Sequence, residues 1–249
     1  MITTETRGRV TVVRMAHGKV NAFDPELMSG LIDQFAALEK ADTAAVVLTG
    51  TGRVFSAGVD LRGLTAGGPD YVKELLPLLG GAFSKTFTFP KPVVAAVNGH
   101  AIAGGCVLTC ACDYRIMADG GGRIGTPELS VGVPFPSMAL EILRLTVPAH
   151  RLQALIYRGL TCMPAEAVDN GLVDETAPPE AVLDRAVEMA ERLGALPPAS
   201  FALTKRIIRE PSQARVREMQ SADEAVAEAW MSPVVLEAVR AYVDRTLGK

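Results

Sequence analysis

Aromatic residues make up only 5% of this 249-residue chain, and tryptophan occurs once. So sparse a set cannot furnish the stacking platform on which single-stranded nucleic acids bind. Basic residues are not in excess either: 25 Lys and Arg stand against 28 Asp and Glu, a net charge of −3. Without a basic stripe to neutralise phosphates, neither nucleic-acid binding nor attachment to an anionic membrane surface is expected. Histidine is scarce, with His17, His100 and His150 far apart, and Cys106, Cys110, Cys112 and Cys162 contain no C-x-x-C pair. That spacing offers no zinc site, so no metal is expected, and the thiols read as buried free cysteines of a cytoplasmic protein. MITTETRGRV at the start lacks the apolar core of a secretory signal. The uncharged run from Val93 to Cys112 is broken by Asn98, Gly99, His100, Gly104 and Gly105, which suits two short elements about a turn better than a membrane span. Also missing are G-x-x-x-x-G-K-[ST] and G-x-S-x-G, and the glycine-rich GHAIAGG does not meet G-x-G-x-x-G, so NTP binding and serine-hydrolase chemistry have no framework and dinucleotide binding at GHAIAGG is not expected.

What is present is apolar material: 49% of residues are hydrophobic and 21% charged, enough for a sizeable core. Val10, Val12 and Val13 mark a first strand. Asp24-Pro25-Glu26 then opens a helix whose apolar stripe is Leu27, Leu31, Ile32, Phe35 and Leu38. The continuous apolar run at 44–50 predicts a strand covered on both faces, followed by a short strand in RVFSAG. Residues 66–70 read as a loop, with Asp70 capping a helix that ends near Leu79 because Pro77 interrupts it. VVAAV is a further strand, a helix starts at about Gly104, and DYRIMAD is another strand. This alternation predicts an α/β fold with parallel pairing. After Pro136 the periodicity is helical, broken only by a strand at LVDETA, and from Pro198 onward the chain is all helix. Apolar stripes in that tail are numerous enough for some to face a partner subunit.

Three glycine turns stand where strands end: FSAGVD at 55–60, NGHAIAGG at 98–105 and IGTPELSVG at 124–132. A helix starting near Gly104 presents unpaired N–H groups, and the first turn exposes further amides before Val59. Two such groups converging would form an oxyanion hole, although the same small residues also suit tight packing. Glu128 is the lone acid among small and apolar neighbours, a setting that raises a carboxyl pKa and fits a general base; it equally fits a helix cap or a partner for an arginine.

FSAGVDL, KPVVAAVNGHAIAGGC, CDYRIMAD and IGTPELSVG together resemble the signature blocks of the crotonase family of enoyl-CoA hydratases and isomerases. KVNAF, PAEAVDNGLVDE and LTKRIIRE are similar to further family segments, so the likeness spans nearly the whole chain. It implies a crotonase-type spiral of strand-strand-helix repeats over residues 1–197 and a C-terminal helical trimerisation region over 198–249. It also implies a homotrimer or hexamer acting on an acyl-CoA, with no cofactor beyond the CoA of the substrate. By the same likeness, Val59 and Gly104 donate oxyanion N–H groups, Glu128 is catalytic, and Val20, Ala22, Ala57, Asp60, Leu61 and Arg62 line the CoA cleft. Ile102 and Pro127 border the thioester. One departure matters: family hydratases carry a glutamate where this chain has Val107, and SVGVPFPSMALEIL replaces their G-G-T-Q-R-L stretch. The pattern is closer to the single-glutamate 3,2-trans-enoyl-CoA isomerase branch. A hydratase, another enolate reaction on the same scaffold, or a silent acyl-CoA-binding protein are the alternatives.

Overall fold

Residues 1–246 are described by a computed structural model in which strands and helices alternate as the apolar runs predict. In chain order the first part comprises β1 (Ile2–Arg7), β2 (Val10–Met15), α1 (Pro25–Lys40), β3 (Ala45–Thr49), β4 (Val54–Ser56), α2 (Leu61–Thr88), β5 (Val93–Val97), β6 (His100–Ile102), α3 (Gly104–Ala111), β7 (Tyr114–Ala118), β8 (Ile124–Gly125) and α4 (Glu128–Val131). The remainder is α5 (Ser137–Thr146), α6 (Ala149–Tyr157), β9 (Thr161–Cys162), α7 (Pro164–Asp169), β10 (Glu175–Ala177), α8 (Val182–Gly194), α9 (Pro198–Glu218), α10 (Gln220–Met231) and α11 (Pro233–Thr246).

A strand-strand-helix unit occurs three times in succession, as β3-β4-α2, β5-β6-α3 and β7-β8-α4. The first strand of each unit joins a large sheet of order β1-β2-β3-β5-β7-β10, and the second joins a small sheet of order β4-β6-β8-β9. Within each sheet the repeated strands run parallel. The chain therefore spirals, laying down one rung of each sheet per turn. Alternation along the large sheet divides its side chains between two cores. Val46 and Leu48 pack with Leu31 and Phe35 of α1 on one face, while Ala45 and Val47 pack with Ala186 and Ala190 of α8 on the other. Burial on both faces explains why β3 reads as an unbroken apolar run.

Several expectations change. The polar segment Ile2–Arg7 is an edge strand, antiparallel to β2, whose Thr and Glu side chains give no apolar signal. The expected loop at 66–70 shrinks to a break at Gly68 (φ 57°) within α2. Asp60, not Asp70, caps that helix, accepting from the Arg62 N–H at 3.0 Å. Nor does α2 end near Leu79: it runs through Pro77 to Thr88 because Leu79, Ala82, Phe83 and Phe87 are buried. A proline inside a helix costs about 3 kcal/mol, and burying two phenylalanines at about 1.5–3 kcal/mol each offsets it. LVDETA is not the only strand after Pro136, since Thr161–Cys162 adds a short one to the small sheet.

The helical tail is fastened by charge. Lys205 and Arg209 of α9 meet Asp113 at 2.6 and 2.7 Å. Arg209 also donates to the carbonyls of Phe87 and Ala111, which close α2 and α3, and so answers helix ends that lack partners of their own. Helices α10 and α11 fold back over α2, where Trp230 and Val239 are buried with Leu64, Val72, Val131 and Val133. Part of the tail's apolar surface is thus covered by its own chain, while Leu203, Ile207 and Ile208 of α9 stay exposed. All four cysteines are free and buried. Among the described residues no helix is long and apolar enough to cross a membrane.

Candidate active site

Because β4, β6 and β8 are neighbours and parallel, their carboxyl ends lie along one edge of the small sheet. Each end leads into the helix of its repeat, so the three glycine turns are equivalent positions in three successive units. A cavity of about 510 Å³ opens there. Val20, Ala22, Ala57, Val59, Asp60, Leu61, Arg62, Ile102, Gly104, Pro127 and Glu128, all singled out from the sequence, line it together.

The first two turns are pressed together. Gly58 (φ 80°) adopts a conformation that side chains disfavour, and a Cβ there would lie 3.0 Å from Gly104 N. Phe23 N–H donates to Gly58 O at 2.7 Å and Asp60 N–H donates to Phe23 O at 2.9 Å, which leaves the intervening Val59 N–H outside that pairing. Gly104 is the first residue of α3, where an N–H has no intrahelical acceptor. Ala103, at φ 54°, turns the chain into that helix and is held by its N–H to Gly125 O at 2.8 Å. Among the described residues neither the Val59 nor the Gly104 N–H donates to a backbone carbonyl. Two unused donors on adjoining turns are suited to holding one oxygen.

Glu128 opens α4 from the third turn. The residue is partly exposed, yet its Oε2 is enclosed and has no hydrogen-bond partner among the described residues. Its side chain caps no helix. Burial pushes the carboxyl up to about 8, and its own backbone N–H pulls more weakly the other way. Val107 of α3, Val131, Val133 and Phe135 share the cavity with it. Asp60 is the other acid there, and its carboxylate is engaged at the start of α2.

Sequence reading misses three contributors. Asn21 is buried in left-handed backbone (φ 48°); its side chain accepts from His17 N–H at 2.8 Å and donates to Phe55 O at 3.1 Å. It thereby fastens the segment carrying Val20 and Ala22 beside β4, and a polar residue inside KVNAF is the one available clue. Trp230 and Tyr242 reach the cavity from α10 and α11. Trp230 Nε1 donates to Pro134 O at 2.9 Å, bracing the segment that follows Glu128. Nothing local marks these two, because their place depends on how the tail folds back.

The family model described as Enoyl-CoA hydratase/isomerase matches residues 5–246. The human protein Enoyl-CoA delta isomerase 1, mitochondrial, is 29% identical over 217 residues, covering 86% of this chain and 72% of that protein. The crystal structure of human mitochondrial delta3-delta2-enoyl-CoA isomerase superposes with a TM-score of 0.94 at 26% identity, covering 99% of this chain and 98% of that one. An enoyl-CoA hydratase structure from Mycobacterium marinum superposes with a TM-score of 0.82 at 32% identity, covering 90% and 98%. Isomerases and hydratases thus both occur among the relatives.

Proposed function

This chain belongs to the enoyl-CoA hydratase/isomerase family, and from that premise we propose that it moves the double bond of an enoyl-CoA thioester from position 3 to position 2. The observation that carries this reading is the single enclosed carboxyl of Glu128 in a cavity where Val107 stands in place of a second catalytic acid. Hydration needs a water held and activated between two carboxylates, whereas a proton shuttle needs one.

In the proposed reaction, the Glu128 carboxylate takes a proton from C2 of the 3-enoyl thioester. The electron pair delocalises onto the thioester oxygen, which the N–H groups of Val59 and Gly104 hold. Protonated Glu128 then delivers the proton to C4, leaving the double bond between C2 and C3 and the carboxylate restored. Two donors at about 2.7–4 kcal/mol each supply roughly 5–8 kcal/mol of transition-state stabilisation. A positioned base worth about 10²–10⁴-fold supplies roughly 3–5 kcal/mol more. Together these reach the lower range of enzymatic acceleration. CoA enters as part of the substrate, its phosphates met by Lys19 and Arg62, which line the cavity.

Ultraviolet absorbance tests the assignment. On mixing with a 3-enoyl-CoA, the conjugated enoyl thioester should appear. Conjugation lost from a 2-enoyl-CoA instead would make the protein a hydratase, and no change with either would make it a binding protein.

A further inference from the structure

Tyr71 of α2 buries a phenol oxygen that has no hydrogen-bond partner among the described residues. Taking a hydroxyl out of water without a partner is costly, and phenylalanine would fill the same space without that cost. The helix also gives up side chains to seat this ring. Gly63 and Gly67 precede it in α2, although glycine weakens a helix. A Cβ at Gly67 would lie 2.7 Å from the Tyr71 Cβ, and one at Gly63 would lie 2.7 Å from the Tyr71 hydroxyl. That same point beside Gly63 is 2.7 Å from Asp60 Oδ2. Phenol and carboxylate therefore border one small gap, which only glycine leaves open.

Two other acids adjoin the ring, and neither competes for the hydroxyl. Asp24 already has His17 Nε2 at 2.6 Å and the Leu27 N–H at 2.8 Å, and Glu74 is exposed. Asp60 meets the Arg62 N–H through Oδ1, so Oδ2 is the oxygen at the gap. Burial above all, and then the charge of Asp60, push the Tyr71 pKa up, so the hydroxyl keeps its proton and is able to donate. Asp60 connects the gap to the chemistry. It lines the catalytic cavity, which Tyr71 does not, and it directly follows Val59. Phe23 and Val59 form a parallel bridge, closed by the Phe23 and Asp60 N–H groups on either side of Val59. Fixing the Asp60 carboxylate therefore fixes where the Val59 N–H points.

We propose that Tyr71 is a positioning residue for the oxyanion hole: its hydroxyl donates to Asp60 Oδ2 as charge gathers on the thioester oxygen, and so holds the Val59 N–H on that oxygen. This inference rests on the enolate reading above and deepens it, adding a residue that touches neither the substrate nor the base. Rotation of the Asp60 carboxylate closes the gap, because its terminal torsion has a broad minimum.

Acetoacetyl-CoA, a 3-ketoacyl thioester, tests this without turnover. Its C2 proton passes to Glu128, the charge spreads onto the thioester oxygen, and the resulting enolate absorbs in the ultraviolet. At one fixed pH the wild type should show the enolate band and Tyr71→Phe a weaker one. In that variant kcat on a 3-enoyl-CoA should fall about tenfold, part of what losing a whole oxyanion donor costs. Calorimetric affinity for hexanoyl-CoA should stay within about twofold. The melting temperature should hold or rise, because a buried hydroxyl without a partner has gone. Asp60→Asn keeps the helix cap but not the charged acceptor, so adding Tyr71→Phe to it should change kcat by less than about twofold. Additive losses in that pair would overturn the proposal. So would a Tyr71→Phe variant that melts earlier with its kcat intact, which makes the hydroxyl structural, or one that loses hexanoyl-CoA affinity as much as kcat/KM, which makes it part of the binding surface. An enolate band equal in wild type and Tyr71→Phe overturns only this inference. A wild type that binds hexanoyl-CoA yet forms no enolate overturns the enolate reading, and this proposal with it.

Discussion

At the residue scale, Glu128 is held in a state that water would not permit. Its carboxyl is pushed up to about 8 by burial, so roughly a tenth of the molecules carry the base form at pH 7. The base form accumulates as pH rises, so kcat/KM should climb to a plateau above about 8. Glu128→Gln keeps the shape and removes the base. Turnover should fall by about 10²-fold or more, the pH limb should vanish, and calorimetric affinity for a saturated acyl-CoA should hold. Stability carries the opposite sign. The folded pKa lies above the ordinary 4.5, so the folded chain holds an extra proton between 4.5 and about 8. The stabilisation is fully present below 4.5 and is lost as pH rises through about 8. Thermal melts should therefore show wild type losing more stability than Glu128→Gln between about pH 5 and about pH 9. Retained turnover in the variant would assign the base elsewhere.

At the scale of elements, α3 carries two residues of the proposed site. Gly104 begins it and Val107 follows one turn later, so both lie on the face toward the cavity. Val107→Glu would set a second carboxylate near Glu128. Two close carboxylates do not both ionise cheaply, so one pKa rises and the pair supplies an acid and a base at neutral pH. We expect measurable hydration of 2-enoyl-CoA by absorbance loss, slower isomerisation, and a lower melting temperature from a charge buried at a cost of a few kcal/mol. A folded variant with no hydration would remove Val107 as the determinant of the reaction. The elements differ in how plainly they are written. Asp24-Pro25 announces α1, and unbroken apolar runs announce β3 and β5. Two- and three-residue strands such as β6, β8 and β9 have no period to detect. The passage of α2 through Pro77 is decided by where Phe83 and Phe87 are buried, which no local pattern records. The near half of the site is legible in its glycine turns, whereas Trp230 and Tyr242 are invisible until the tail folds back.

At the scale of the whole molecule, α9 is turned inside out. Lys205 and Arg209 are buried at 7% exposure each, while Leu203, Ile207 and Ile208 are 48%, 62% and 55% exposed. Asp113 explains the inward charges, and the outward row is an apolar patch that suits contact with another copy. We expect a trimer or hexamer by light scattering, and smaller species once Ile207 and Ile208 are both changed to Glu. A monomeric wild type at micromolar concentration would overturn that expectation.

The proposed oxyanion donors on adjoining turns are peptide groups, and this bears on how the gene tolerates change. A codon substitution at Val59 swaps the side chain and keeps the N–H; among the twenty residues only proline deletes it. The acid at the third turn has no such protection, because one base change at codon 128 removes its chemistry outright. Random mutation should therefore alter what is done to the enolate sooner than the ability to form one. A lineage built on this chassis is free to drift between reactions while its grip on the thioester persists.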